Sequence, residues 1–208
     1  CVLCGADFPV TTSRTLQLCL DCAAAVRREY RCNEVISIAG ADGTIAPLYY
    51  RGTVENAMKR FKFSSAAYCA DWFAAQMCAA LTSQLEDWQP DLITYMPIGF
   101  LHYRKRGYNQ AELLAKLTAK PLSLPCEATL RKRWFVGKQS AQKDYAARQS
   151  NAKDAVLPKG GVDLTGKSVV LVDDIITTGA TAAAAVKTLR EMGASRVYVL
   201  AATFTPRK

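Results

Sequence analysis

The sequence predicts an α/β protein in which a mostly parallel sheet is flanked by helices and preceded by a small cysteine-rich segment. Short continuous apolar runs at residues 91–96 and 169–172 are typical of strands that are buried on both faces of a parallel sheet. From Lys167 to Phe204 the pattern changes from strand to helix and back to strand, which is the repeating unit of such sheets. These two observations give the fold class.

Each remaining element follows from its own local pattern. Residues 35–50 contain strand-like segments, and Pro97 ends the strand that precedes it. Gly193 is well placed as the C-terminal cap of the last helix. Helical periodicity covers residues 53–61, 66–85, 109–120 and 181–192.

Four cysteines near the amino end have the spacing of a zinc ribbon, C-x2-C-x14-C-x2-C. They are Cys1, Cys4, Cys19 and Cys22. Tetrahedral zinc requires two ligand pairs on tight turns joined by a short hairpin, and this spacing supplies them. Two disulfides are the alternative, which a cytosolic setting disfavours. We therefore expect a structural zinc ribbon over residues 1–33 and a second domain over residues 34–208.

The charge of the chain indicates anionic partners. Its 208 residues carry a formal net charge of +9, with a pI near 9.2. This excess suits an anionic small molecule or a nucleic acid, or serves only solubility. Three of four basic clusters have a neighbouring aromatic residue, as in grooves that bind single strands, although solvated loops give the same pattern. The clusters are residues 27–28, 59–62, 104–106 and 131–133.

The composition excludes a membrane-spanning or disordered chain. No apolar run reaches the roughly 18 to 20 residues that span a bilayer, and no signal peptide is visible. Half of the residues are hydrophobic, which suits a sizeable core. We therefore expect a cytoplasmic protein without membrane insertion.

The most informative segment joins a buried strand to two carboxylates and a hydroxyl-rich turn. Ligands of open α/β sheets sit just beyond the carboxyl ends of the strands, where Asp173 and Asp174 follow the run 169–172. The turn opens onto an alanine-rich helix, whose N-terminal N–H groups are a natural seat for a phosphate. We expect the carboxylates to bind the diol of a sugar phosphate and the turn to bind its phosphate. The turn residues are Thr177, Thr178, Gly179, Ala180 and Thr181.

Three other interpretations of this segment compete with the sugar-phosphate site. A Rossmann dinucleotide site needs the pattern G-x-G-x-x-G, and only Gly179 is present in this turn. An apolar run that ends in Asp-Asp also occurs in P-loop NTPases, but those proteins need a partner loop G-x-x-x-x-G-K-[ST], which we do not expect to find. In the last interpretation, the segment is only a strand, an acidic turn and a capped helix, and it binds no ligand. The order of acid pair, hydroxyl groups and glycine favours the ligand site.

A second basic loop follows the strand at residues 91–96. Residues 96–110 concentrate three positive charges, at Arg104 to Arg106, before a helix that starts near Asn109. Arginine suits bidentate phosphate contacts and lysine supplies a mobile point charge. Because this loop lies at the same end of the sheet as the carboxylate pair, we expect a second polyanion contact rather than a solvated turn. His102, the only histidine of the sequence, is assigned no chemistry.

The carboxylate segment closely resembles the phosphoribosyl-pyrophosphate (PRPP) signature of type I phosphoribosyltransferases. With the four-cysteine ribbon, the Pro97-Ile98 turn and the run from Arg106 to Gln110, it makes the chain similar to the ComF family. These proteins have a phosphoribosyltransferase fold and are associated with natural transformation. The runs at residues 59–63 and 148–151 extend the resemblance over nearly the whole chain, whereas residues 136–147 depart from the family pattern.

The resemblance implies a type I phosphoribosyltransferase-like fold for residues 34–208 and a role for the acidic segment. Asp173 and Asp174 would be the catalytic acids that hold the ribose 2′- and 3′-hydroxyl groups. Residues 177–181 would bind the 5-phosphate. A basic, irregular stretch at residues 131–147 would be the loop that closes over PRPP.

The resemblance also implies a site for the pyrophosphate. Arg104 and Arg106 would grip it together with Mg²⁺, with Pro97 positioning the backbone. Magnesium keeps several waters and is carried on substrate phosphates, so no dedicated protein cage is expected for it. Zinc in the ribbon would be structural.

Three functions are compatible with these features. The first is a ComF-like protein that binds PRPP and handles incoming single-stranded DNA during DNA uptake, with the ribbon and the basic clusters as DNA contacts. The second is a catalytic phosphoribosyltransferase of base or nucleotide metabolism. The third is a non-catalytic regulator that senses PRPP and signals through the ribbon to a protein partner, such as a component of the competence machinery. We expect the first.

Overall fold

The computed structural model describes residues 1–7, 18–63, 66–132 and 156–206. The helices of these segments are α1 Leu20–Ala25, α2 Gly52–Phe63, α3 Cys69–Thr82, α4 Leu85–Trp88, α5 Phe100–Arg106, α6 Gln110–Ala119 and α7 Ala180–Glu191. A π-helical turn, Val26–Tyr30, extends α1, and a 3₁₀ turn, Lys120–Leu122, extends α6. The strands are β1 Gly43–Ile45, β2 Leu48–Tyr49, β3 Leu92–Tyr95, β4 Leu130–Lys132, β5 Val156–Pro158, β6 Ser168–Ile176 and β7 Arg196–Phe204.

Five of these strands form one parallel sheet. Its hydrogen-bonded order is β1-β7-β6-β3, and β2 also pairs with β7. Strand β6 is central, with Val169 beside Val197 of β7 and Leu92 of β3. Strands β4 and β5 form a separate antiparallel pair in which Lys132 faces Val156. Because the main strands are parallel, the carboxyl ends of β3, β6 and β7 meet at one edge of the sheet.

Apolar clusters cover both faces of this sheet. Successive side chains of a strand point to opposite faces, so β6 contributes to both clusters. Val170 and Val172 pack on one face with Phe61 of α2, in a cluster that also includes α3 and α6. Val169 packs on the other face with Leu189 of α7. The continuous apolar runs of the sequence therefore correspond to strands buried on both sides, which confirms the predicted fold class.

The amino-terminal segment packs into the first of these clusters. Val2 and Leu3, which lie between the first two cysteines, are buried in the same core cluster as Phe61. The division of the chain at residue 33 stays a prediction. Across the segments that the structure describes, no helix is both long enough and apolar enough to cross a membrane.

A short helix, α5, occupies part of the stretch that was expected to be a loop. It is bounded by Gly99 and by Gly107, whose φ of +79° lies in the left-handed region that glycine favours at the end of a helix. The seven residues between contain no glycine or proline, so nothing in the local sequence prevents a helical turn. The basic residues therefore project from a helix.

Strand β6 is longer than its apolar run. It continues to Ile176, so Asp173 and Asp174 lie within the strand rather than beyond its end. Strand β6 extends this far because β7 is equally long and pairs with it as far as Ile176. Asp173 pairs with Ala201, and Ile175 pairs with Thr203. The position of the carboxylates beyond the strand end was therefore predicted wrongly, although they remain at its carboxyl half.

A second correction concerns the phosphate-loop pattern. Residues 161–168 read G-x-x-x-x-G-K-S, so the expectation that the sequence lacks this pattern is wrong. In a P-loop the pattern follows a strand and opens a helix. Here it precedes β6, and Ser168 is already part of that strand. The Ser168 N–H donates to Oδ2 of Asp91 at 2.7 Å and its hydroxyl donates to the Trp88 carbonyl at 2.8 Å. The segment leads into strand β6, and it does not form a P-loop.

Candidate functional site

The carboxylate pair lies at the edge of the sheet where β3, β6 and β7 end. The two side chains have different surroundings. Asp174 faces α2, where Nζ of Lys62 lies 3.0 Å from its Oδ1. The Lys62 and Asp174 side chains are only 17% and 14% exposed. Asp173 lines an adjoining cleft, and its Oδ1 accepts a hydrogen bond from the Asp174 N–H at 2.8 Å.

Burial changes the ionisation of this pair. It raises the pKa of Asp173 to about 7, and the negative charge of Asp174 acts in the same direction. The ammonium groups of Lys62 and Lys132 act in the opposite direction and do not cancel it. Near neutral pH, Asp173 therefore exchanges between a hydrogen-bond donor and a pure acceptor. Both forms suit contacts with sugar hydroxyl groups.

The turn after β6 forms a concave loop at the start of α7. Gly179 has a φ of +78°, in the left-handed region, and precedes the first helical residue, Ala180. A Cβ at this position would collide with the side chain of Ile38. The loop borders an open cleft of about 170 Å³. Because the N–H groups at the start of a helix carry partial positive charge, this cleft suits an anion. Its lining includes the predicted residues Asp173, Thr177, Thr178, Gly179, Ala180 and Thr181.

A second cleft of about 160 Å³ adjoins the first and shares Pro97 and Asp173 with it. Arg106 lines this second cleft, and its Nη1 donates to Oε1 of Gln110 at 3.0 Å. Its Nε is buried and has no hydrogen-bond partner among the described residues. Lys62 and Lys132 also line the cleft. This side of the site is therefore cationic and suits a second polyanion.

Arg104 lies away from both clefts. It is exposed, and its guanidinium carbon lies 5.7 Å from the centre of the Phe100 ring. Residues two apart are separated by about 200° around a helix. Because α5 is helical, Arg104 and Arg106 point in different directions. The structure does not bring these two arginines together. Instead, Arg106 lines the second cleft together with Lys62 and Lys132.

Asn109 holds the basic segment in place. Its Nδ2 donates to the Met96 carbonyl at 3.0 Å, and its Oδ1 accepts from the Ala111 N–H at 3.1 Å. The second contact caps the N-terminus of α6. The neighbouring Tyr108 hydroxyl donates to the Phe61 carbonyl of α2. Residues 106–110 thus join the end of β3, the start of α6 and the end of α2.

Lys62 and Asn109 were not predicted as site residues, and Lys132 was predicted only as part of the stretch 131–147 that closes over PRPP. Lys62 had a signal, because it follows Phe61, the last residue of the buried stripe of α2, and so lies on the border of that stripe. The signal for Lys132 was its place in the basic stretch 131–147, but its position in this cleft depends on the pairing of β4 with β5. Of the stretch 131–147 expected to close over a ligand, only residues 131 and 132 are described. The rest of it, and residues 148–151, lie outside the described residues.

The four predicted metal ligands come together. Their Sγ atoms all lie within 4.8 Å of one another, and those of Cys4 and Cys19 are 3.8 Å apart. Tetrahedral zinc with Zn–S bonds of about 2.3 Å places its sulfur atoms about 3.8 Å apart. One pair lies on a tight turn, where the Gly5 N–H donates to the Cys1 carbonyl, and the other lies at the start of α1, where the Ala23 N–H donates to the Cys19 carbonyl, both at 2.9 Å. None of the eight cysteines, all of them described, forms a disulfide. The cluster fits a zinc ribbon.

Comparison with known proteins places the chain. The phosphoribosyl transferase domain family matches residues 109–207. Competence protein F of Haemophilus influenzae is 29% identical over 150 residues, which are 68% of this chain and 64% of that protein. DNA utilization protein YhgH of Escherichia coli K12 is 26% identical over 214 residues, which are 96% of this chain and 81% of that protein. These matches support a ComF-family protein with a phosphoribosyltransferase-like domain. The family predicted from the motifs is thus confirmed, with its phosphoribosyltransferase-like fold.

A shorter part of this chain is similar to enzymes of another kind. Ribose-phosphate pyrophosphokinase of Nostoc sp. is 56% identical over 46 residues, which are 21% of this chain and 14% of that enzyme. The chain thus spans less than two thirds of the first curated relatives that it matches, 64% of the Haemophilus protein and 14% of the Nostoc enzyme. The likeness to the enzyme is local.

Proposed function

We propose that this ComF-like protein binds PRPP, with Mg²⁺, across the two adjoining clefts. The observation that carries the proposal is the order of chemical groups along one surface. A loop at a helix N-terminus, a carboxylate pair and a cationic subsite follow one another, and Asp173 lines both clefts. PRPP has a phosphate, a diol and a diphosphate in a matching order. The local identity with ribose-phosphate pyrophosphokinase supports a ribose phosphate as the ligand.

Each group of PRPP then has its own partners. Residues 177–181 bind the 5-phosphate through N–H groups and hydroxyls. Asp173 and Asp174 accept hydrogen bonds from the ribose hydroxyl groups. Arg106 binds the diphosphate, together with Lys62 and Lys132, and Pro97 shapes the backbone between the clefts. Magnesium is carried by the diphosphate and keeps much of its water shell, so the protein needs no cage for it.

These residues are also suited to phosphoribosyl transfer. In that reaction positive charge develops on the anomeric carbon as its bond to the diphosphate oxygen breaks and an acceptor atom forms a new bond there. In the proposed complex the carboxylates stabilise this positive charge, and the cationic subsite stabilises the leaving diphosphate. Release of pyrophosphate from PRPP with candidate bases or amines, abolished by Asp174→Asn, is the test of a catalytic transferase. Binding without release would favour the PRPP-sensing regulator.

The four-cysteine cluster is proposed to hold structural zinc. Four protein thiolates complete a tetrahedral shell and leave no open position for a substrate, which is the arrangement of structural zinc sites. Eight cysteines without a disulfide support a reducing compartment, so we propose a cytoplasmic location. Zinc content by mass spectrometry of the folded protein tests the first point.

We further propose that the protein acts in DNA uptake and contacts single-stranded DNA, as the names of its relatives suggest. The observation that favours this is a surface formed by α5 and the end of α2. Phe63, Phe100 and Tyr103 are exposed there. Nζ of Lys105 lies 6.0 Å from the ring centre of Phe63, and Arg104 stacks near Phe100. Exposed rings beside cations provide base stacking and phosphate contacts.

Calorimetric titration of the zinc-loaded protein with PRPP and Mg²⁺ tests the central proposal. The wild type should bind, and the Asp173→Asn/Asp174→Asn double variant should lose binding. No binding by the wild type would refute the PRPP site. For DNA, anisotropy of a labelled oligonucleotide should show affinity that falls steeply with salt. The affinity for the oligonucleotide should also be lower for the Phe63→Ala/Phe100→Ala double variant. It should be unchanged for Val35→Ala, which replaces an exposed apolar residue and serves as the control.

A further inference from the structure

Helix α2 lies between the four-cysteine cluster and the candidate ligand site. Its buried stripe ends at Phe61, which is fully buried in the core. The residues on either side of Phe61 are two positions apart and are therefore separated by about 200° around the helix. Arg60 and Lys62 thus leave the helix in different directions, on opposite borders of the buried stripe.

Arg60 contacts the first turn of the cysteine cluster. Its Nη2 donates to the carbonyl of Val2 at 2.7 Å and to that of Leu3 at 2.8 Å. These are the two residues between Cys1 and Cys4, so one guanidinium holds the backbone that presents half of the metal ligands. A zinc ion with four thiolates carries a net charge of about −2, whereas four thiols carry none. The loaded cluster therefore attracts Arg60 more strongly than the metal-free cluster.

Lys62 contacts the ligand site on the other border of the helix. Its ammonium lies 3.0 Å from Asp174 and lines the cationic cleft. Between the two basic residues, the Phe61 carbonyl accepts a hydrogen bond from the Tyr108 hydroxyl. The last turn of α2 is therefore fixed by contacts with the cysteine turn, the core and the cleft. A shift of this turn at the cysteine cluster moves Lys62 as well.

We propose that α2 couples metal binding at the cysteine cluster to ligand binding at the cleft. Arg60 is the positioning residue, and it acts through Lys62. This inference rests on the proposed function, since it takes PRPP as the ligand of the cleft. Thermodynamic linkage requires that PRPP strengthens zinc binding by the same factor by which zinc strengthens PRPP binding. A residue that only stabilises the fold has no reason to change this factor.

The coupling factor can be measured in two directions on the full chain. PRPP with Mg²⁺ is titrated into zinc-loaded and metal-free protein by calorimetry, and zinc is titrated against a chromogenic chelator with and without PRPP. We expect zinc to raise the affinity for PRPP by a factor of about 5 to 20, and PRPP to raise the affinity for zinc by the same factor. Arg60→Ala should bring it close to one, and Arg60→Lys should restore part of it. Lys59→Ala is the matched control, because Lys59 is on the same helix and pairs with Glu55 at 2.6 Å.

Several outcomes would overturn the coupling. The first is that the folded zinc-loaded and metal-free proteins bind PRPP with equal affinity. The second is that the coupling factor between zinc and PRPP is unchanged in Arg60→Ala. If the metal-free chain unfolds, zinc-loaded Arg60→Ala and Lys59→Ala are compared instead, and equal PRPP affinities contradict the inference. If the wild type does not bind PRPP at all, the proposed function fails. Hydrogen exchange then tests the coupling: zinc removal should loosen residues 57–63 and 170–176 more than α7, and a uniform change contradicts it.

Discussion

Replacing Lys62 with methionine tests whether burial, rather than separation, sets the strength of the ion pairs of α2. Lys62 and Asp174 are 3.0 Å apart with side chains 17% and 14% exposed, whereas Lys59 and Glu55 are 2.6 Å apart with side chains 55% and 33% exposed. Separation alone ranks the Lys59 pair as the stronger one. Burial reverses this order, because water screens the Lys59 pair.

The expected magnitude follows from Coulomb attraction and the cost of removing water. At an effective dielectric constant of 20, unit charges about 3 Å apart attract by about 5.5 kcal/mol. Desolvation of two largely buried groups offsets more than half of this attraction. We therefore expect Lys62→Met to lower the free energy of unfolding by about 2 kcal/mol, part of which arises because Asp174 is left beside Asp173 without its cation. Exposed pairs at this helical spacing contribute about 0.3–0.5 kcal/mol, so Lys59→Met should cost no more than that.

The assay is urea unfolding of zinc-loaded protein at pH 7.5, for the wild type, Lys62→Met, Asp174→Asn and the double variant. Such a cycle isolates the energy of the pair. We expect a coupling energy of about 1–2 kcal/mol between positions 62 and 174. A coupling below about 0.3 kcal/mol, or a cost of Lys62→Met no larger than that of Lys59→Met, would refute the reasoning.

Three further predictions concern single residues of the site. The pKa of Asp173 is raised to about 7, so the folded state holds its proton more tightly than the unfolded state, and wild-type stability should fall between about pH 4 and pH 7. Asp173→Asn should remove that fall. Urea unfolding at a series of pH values measures it, and parallel profiles for the wild type and the variant would contradict the prediction. Gly179→Ala should cost about 1–2 kcal/mol of stability and weaken PRPP binding through the 5-phosphate loop, whereas Gly166→Ala, at a φ of +75° in open space, should cost stability alone. Asn109→Ala should cost about 2 kcal/mol in thermal unfolding, and Asn109→Ser less because its hydroxyl keeps the cap; equal losses would argue against capping.

The parts of the site that lie within one strand–turn–helix unit could be predicted from the sequence. The apolar run, the hydroxyl-rich turn and the glycine are consecutive, and each has a local reason for its conformation. Gly179 adopts the positive φ that its position before a helix suggests. The cysteine cluster was equally local, because one C-x-x-C turn and one C-x-x-C helix start fix the directions of their own side chains.

The cationic half of the site could be predicted only in part, because helix directions and tertiary pairing decide it. Treating residues 104–106 as a loop placed both arginines in one subsite, whereas α5 separates Arg104 from Arg106. Lys62 arrives from a helix far away in sequence, and its amphipathic border position was the available signal. Lys132 belongs to the basic stretch that was expected to close over PRPP, but the pairing of β4 with β5 that brings it to this cleft has no local signal.

Strand β7 brings early and late parts of the chain together. Gly43 of β1 pairs with Tyr198, and Tyr49 of β2 pairs with Phe204. During synthesis on the ribosome, these edge strands have no β7 partner until residue 204 has been made, whereas the last of the four cysteines is residue 22. Metal loading can therefore precede closure of the sheet, and the amino-terminal apolar segments stay open to chaperones and to aggregation until the last strand emerges.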